Sequence, residues 1–178
     1  MSTVILSGAN PGVRLTDGEV VTAFASVWTV DWSLRGAGTA LVLWHDDQVR
    51  AVGAEPGLAE WLAQYFVRHF PEVDGLPWPA PLVETAPVAI DLDLATGLTA
   101  RGAGIEVTMS DVLGRRTFAT DDFDLDGVPH SLQLLLAPVA EAAVTVDGQR
   151  VPGQVRVGGT EHRPSSSAFL ATAEVWSV

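Results

Sequence analysis

Residues 19–35 read EVVTAFASVWTVDWSLR, and their period is two. Val20, Thr22, Phe24, Ser26, Trp28, Val30, Trp32 and Leu34 fall on one face. Val21, Ala23, Ala25, Val27, Thr29, Asp31, Ser33 and Arg35 fall on the other. Successive side chains of an extended chain point to opposite sides, so the pattern predicts one long strand. Its first half is apolar on both faces and its second half on one. The strand is therefore expected to be covered on both sides early and on one side late.

The same period runs outward from this strand. Gly36-Ala37-Gly38 turns the chain, and Thr39–Trp44 with Val49–Val52 reads as a hairpin around His45-Asp46-Asp47-Gln48. From Val88 onward, alternating runs follow at 88–95, 105–110, 118–125, 130–136, 141–146, 151–157 and 169–175. Turn residues separate them: Thr96-Gly97, Gly114, Asp126-Gly127 and Asp147-Gly148. Asp-Gly is a strong hairpin signal because both residues must adopt positive φ. Pro152 marks an edge or a bulge. Tight turns imply neighbouring antiparallel strands, and such a meander must remove its edges. The expected fold is mainly β: an antiparallel meander of about 8–10 strands closed into a calycin-like barrel, with a β-sandwich as the alternative. That label describes architecture and carries no function. The expected organisation is a single β-barrel domain over 1–178.

One stretch changes period. Leu58, Trp61, Leu62, Tyr65, Phe66, His69 and Phe70 recur at spacings of three and four, which predicts an amphipathic helix over 56–70. Pro56 suits its first turn and Pro71 stops it. Five prolines between 71 and 87 surround Trp78, so a stiff loop able to act as a lid is expected there.

Composition excludes several functions. Of 178 residues 47% are hydrophobic and 18% charged, which rules out a disordered tail. The ten basic residues are all arginine, so neither a lysine Schiff base nor a Walker-type phosphate lysine exists. A net charge of −12 repels phosphate backbones and anionic membranes, so neither nucleic acid nor a membrane is an expected partner. No basic leader opens the chain and no cysteine is present, in keeping with a cytoplasmic protein. The Arg, Ala, Val and Gly bias suggests a GC-rich bacterial source.

The chemistry-bearing candidates are few. Six tryptophans are many for this length. Trp28, Trp32, Trp44, Trp61 and Tyr65, with Met109, are expected to line an apolar cavity capped by the helix; the competing reading is that they fill a core. His69 and His130 lie among apolar residues and are the candidate acid/base or ligand-orienting groups. Each could equally be a histidine at the end of an element. Asp122-x-Asp124-x-Asp126-Gly127 resembles the first half of a calcium loop. Pro129 and Gln133 break its second half, and an alternating strand entering a turn explains it equally well. No zinc spacing, nucleophile elbow or dinucleotide fingerprint occurs, so no metal or cofactor is expected.

The leading expectation is a protein of bacterial biosynthetic metabolism that binds an apolar, polyene- or polycycle-like molecule. One alternative is a cofactor-free cyclase, isomerase or dehydratase in the same cavity. Another is a protein-interaction module with a filled core. A homodimer pairing across Val151–Val157 or the last strand would cover an edge.

Overall fold

The computed structural model describes residues 1–178 and is mainly β. Its strands are β1 (Val4–Ala9), β2 (Gly12–Asp17), β3 (Val20–Ser33), β4 (Gly38–His45), β5 (Gln48–Gly53), β6 (Leu82–Thr85), β7 (Ala89–Asp93) and β8 (Gly97–Gly102). They continue as β9 (Ile105–Val112), β10 (Arg116–Leu125), β11 (Val128–Val146), β12 (Gln149–Arg150), β13 (Val157–Gly159), β14 (Pro164–Ser166) and β15 (Ala168–Ser177). Thirteen of them form one large curved sheet in the order β6-β5-β4-β3-β1-β15-β11-β9-β8-β7. β2 continues β1 along β3 and β15, and β10 continues β9 along β11 alone. The sheet curls into a partial ring.

The hairpin turns form where Asp and Gly can take positive φ: Asp46 and Asp47, Asp126-Gly127, and Asp147-Gly148. The order is not a simple meander. β15 lies between β1 and β11, and β6 pairs with β5 in parallel. A parallel neighbour requires a crossover, and residues 54–81 supply it.

That crossover carries the helical segment, which is not one regular helix. α1 (Pro56–Trp61) is α-helical, Leu62–Phe66 forms a wider π turn, and Val67–His69 tightens to a 3₁₀ turn. A second 3₁₀ turn follows at Pro71–Val73. Leu58, Leu62, Phe66 and Phe70 are buried while Trp61 and Tyr65 are partly so, as the apolar stripe requires. The proline-rich stretch is tied down. Trp44 Nε1 donates to the Pro77 carbonyl at 2.9 Å, and Trp78 Nε1 donates to Gln64 Oε1 at 2.8 Å.

Two cores result. On one face of β3 and β4, Phe24, Trp28, Val42 and Trp44 pack under the helix. On the other face, Ala23, Ala25, Val27, Leu41 and Leu43 pack against Leu98, Ala100, Val107, Val139 and Leu170 from the far half of the same sheet. The curl thus brings the sheet's end over its beginning. Polar contacts fasten it: Arg50 Nη2 donates to the Ala103 carbonyl at 2.8 Å while its Nε binds Glu84 at 2.7 Å, and Thr39 Oγ1 donates to the Val88 carbonyl at 2.7 Å.

Replacing Arg50 with alanine removes three hydrogen bonds that join β5, β6 and the β8–β9 turn. The expected cost is about 1–2 kcal/mol, since the group is partly solvated. Hydrogen exchange should accelerate first in β7 and β8, with the helix-facing core unchanged.

Candidate functional site

The helical segment packs on β3, β4 and β5 and reaches β11 and β15 only through Tyr65 on His130 and Phe66 on Trp176. Beyond it, the same face of β10, β11 and β15 carries Phe118, Phe123, Leu132, Leu134, Leu136, Phe169 and Trp176. The 3₁₀ turn at Pro71–Val73 overhangs this surface, and a cleft of about 320 Å³ lies between them. Small-molecule sites run from ~300 to ~1,000 Å³, so this one is at the small end. It shares Phe70, Pro71, Phe118 and Phe123 with a polar hollow of about 600 Å³, which is lined also by Arg68, His69, Asp74, Asp122, Asp124 and Asp126. The two hollows form one groove, apolar at its inner end and acidic at its mouth.

Backbone irregularities aim these side chains. In β15, Gln133 pairs with Val175 but Leu135 pairs with Thr172, so the strand holds one extra residue. Ala173 takes φ 49° there, a conformation unfavourable for any residue with a Cβ. The bulge reverses the alternation. Leu170 faces one core, whereas Glu174 and Trp176 join Phe169 in the cleft. A second shift lies in β10 between Thr120 and Phe123, and it puts Phe118 and Phe123, five residues apart, on one face. Gly12 makes room for the Phe169 ring: a Cβ would lie 3.0 Å from Phe169 Cζ.

Glu174 is the unusual group. It is 2% exposed, and its carboxyl makes one hydrogen bond, from Trp176 Nε1 to Oε1 at 2.5 Å. Burial pushes its pKa up to about 8, with the Trp176 hydrogen bond partly opposing this. At neutral pH the group is a carboxylic acid whose Oε2–H is free for a ligand. Asn10 lines the same cleft and spends its amide hydrogens on Ser26 Oγ and the Val27 carbonyl, at 2.8 and 2.9 Å. Glu72 enters from the overhanging turn. Burial raises its pKa, and the charge of Arg14 pulls it back down.

The residues singled out from sequence are distributed differently. Trp28 and Trp44 are packed core beneath the helical segment, and Trp61 and Tyr65, on that segment, are partly buried against the same core; the Trp28 ring lies 5.5 Å from Phe66 and 6.3 Å from Phe70. Trp32 is 49% exposed, because a bulge between β1 and β3 separates Ser7–Trp32 from Gly8–Val30 and turns the ring outward. Met109 is buried in the opposite core. His130 is buried beside Trp176: its Nδ1 donates to the Val128 carbonyl at 2.8 Å, which leaves Nε2 to accept from the Tyr65 hydroxyl at 2.9 Å. His69 stands at the mouth of the groove. Asp122, Asp124 and Asp126 stand there too. Asp122 accepts from Thr120 Oγ1 and Asp124 from the Gly127 amide, and no three acidic or imidazole groups are grouped to hold a metal ion. Glu174, Asn10 and the phenylalanines of the groove were not among the sequence candidates. The readable signal was a lone glutamate between apolar residues of the last strand.

Two stability predictions follow from these contacts. In the unfolded chain Glu174 ionises near its ordinary value of 4.5, whereas the folded chain holds the proton to about 8. Between those values the folded state binds more protons, so stability falls as pH rises through the window and levels off above it. The loss is on the order of 5 kcal/mol. Glu174→Gln should flatten this slope and exceed the wild type in stability at pH 8.5, measured by urea unfolding across pH. Tyr65→Phe should cost about 1–3 kcal/mol at pH 7.5, because it strands the buried Nε2 of His130. Comparison with protein-family models, with curated proteins and with solved structures finds no match for this chain.

Proposed function

We propose that the protein binds an apolar small molecule, polyene- or polycycle-like in shape, in the cleft beside the helix. One observation carries this reading: an apolar cleft where the helical segment ends, with a buried carboxyl lining it that makes a single hydrogen bond within the protein. Phenylalanine, leucine and tryptophan side chains would supply the burial, and Glu174 the one directed polar contact. Of the aromatic residues expected to form the pocket, Trp28 backs its wall, through Phe70, which stacks on Trp176 at 6.1 Å. The partial ring supports reading the sheet as a single calycin-like barrel domain, with the cleft at its open side. A role in the cytoplasmic biosynthetic metabolism of a bacterium rests on composition alone.

A second reading is catalytic. A carboxyl that titrates near 8 suits general acid or base work at neutral pH, so a cofactor-free isomerase or dehydratase fits the same cleft. An interaction module is the weaker proposal, since the concave cleft suits a small ligand better than a flat partner.

The test is a titration with N-phenyl-1-naphthylamine, a neutral apolar fluorophore. Saturable fluorescence enhancement is expected. Leu134→Trp fills the cleft and should weaken binding at least about tenfold, a loss of roughly 1.4 kcal/mol. Trp32→Phe, on the surface, should leave it unchanged. No saturable signal from the wild type would end the proposal.

A further inference from the structure

We propose that the ligand of this cleft is an organic cation, an amine or quaternary ammonium carried on an apolar body, with Glu174 as its buried counterion. This rests on the small-molecule reading of the cleft and names the chemistry of its ligand.

Glu174 is held by Trp176 Nε1 alone, and no arginine or histidine acts on it. Asn10, at the β1–β2 corner, lines the same cleft and is neutral. From the overhanging turn comes Glu72, and the nearby cation, Arg14 of β2, acts on Glu72. At the mouth, Asp74, Asp122, Asp124 and Asp126 outnumber Arg68 and His69. The site therefore has a surplus of acid and lacks a base for its most buried member. A buried carboxylate without a cationic partner is costly, and a ligand that brings the missing positive charge lowers that cost.

The walls agree. Phe70, Phe118, Phe123, Phe169 and Trp176 line the cleft, and the faces of aromatic rings attract cations once water is excluded. The approach agrees as well. A chain of net charge −12 with an acidic mouth concentrates cations at the entrance and repels anions. A neutral ligand would use the carboxyl as a donor but would leave the acidic mouth without a role.

Binding of a cation ionises Glu174, so the carboxyl must release its proton to solvent. Uptake is then coupled to proton release below about pH 8, and affinity rises with pH up to that value.

The experiment compares 4-phenylbenzyl-trimethylammonium with its neutral tert-butyl isostere, by calorimetry at pH 6.5 in buffers of different ionisation enthalpy. The cation is expected to bind at least about tenfold more tightly and to release close to one proton, the isostere none. Glu174→Gln should keep the fold, still bind the isostere, and lose both the cation preference and the proton release. Equal binding of the two compounds would overturn the cation proposal and leave the apolar cleft standing. A preference that survives in Glu174→Gln and vanishes in 0.5 M salt would assign it to the acidic mouth and overturn the role of Glu174. If neither compound binds, nor N-phenyl-1-naphthylamine, both proposals fall.

Discussion

The structure depends on β3 and β4 being apolar on both faces. Phe24, Trp28, Val42 and Trp44 need cover on one side, and Ala25, Val27, Leu41 and Leu43 on the other. A sheet cannot leave either face in water at that density of apolar side chains. One face is met by the sheet itself, which curls until β8, β9 and the end of β11 lie against it. The other is met by the helical segment carried on the β5–β6 crossover. Both solutions follow from one constraint, and each limits the other. The curl sets where the far half of the sheet goes, and the crossover length sets how far the helix can reach.

The cleft is what remains after those two solutions. From Pro56 to His69 the helical segment reaches across β3, β4 and β5 and then ends at Phe70-Pro71. The chain has to return to β6, so the segment reaches only the near parts of β11 and β15, where Tyr65 meets His130 and Phe66 meets Trp176. The face of β10, β11 and β15 is apolar because it continues the helix-facing core; Phe66 and Phe70 cover Trp176, and beyond them the turn at Pro71–Val73 overhangs Phe118, Leu134, Leu136 and Phe169. An uncovered apolar surface is a cost to a soluble chain unless something occupies it. The stacked rings of Phe70 and Trp176 mark the boundary, belonging to the core on one side and lining the cleft on the other.

What could be read from residues alone divides along the same line. The hairpins were legible, because Asp126-Gly127 and Asp147-Gly148 have a local reason to turn. The helix was legible from its stripe, although the π turn at Leu62–Phe66 was not. The antiparallel meander was only partly legible: nothing local tells β15 to insert between β1 and β11, since its pairing with β1 joins the two ends of the chain. The groove was illegible for a sharper reason. Face assignment by alternation assumes that no residue is inserted, and three bulges break it. Trp32 turns out to solvent, Phe123 turns in beside Phe118, and Glu174 turns in beside Trp176. A shift of one residue moves every later side chain to the other face. The Asp122–Asp126 run, which suggests calcium as a string of letters, lies on an irregular strand where its carboxylates bind their own backbone and Thr120.

The bulge at Ala173 bears most directly on function. Alanine at positive φ is strained, and glycine would fit there at less conformational cost. The bulge also delivers a carboxyl into an apolar cleft, where it holds a proton against its ordinary tendency to ionise. Without the extra residue, the alternation of β15 would point Glu174 to the opposite face, and the cleft would be closed by apolar side chains alone. Two unfavourable terms, one of backbone and one of charge, therefore fall on adjacent residues and serve one result. Folding gains nothing from that result, because a regular strand with an apolar residue would pack the same surface at lower cost. Costs concentrated at one point of a fold mark the place where something other than stability is being satisfied.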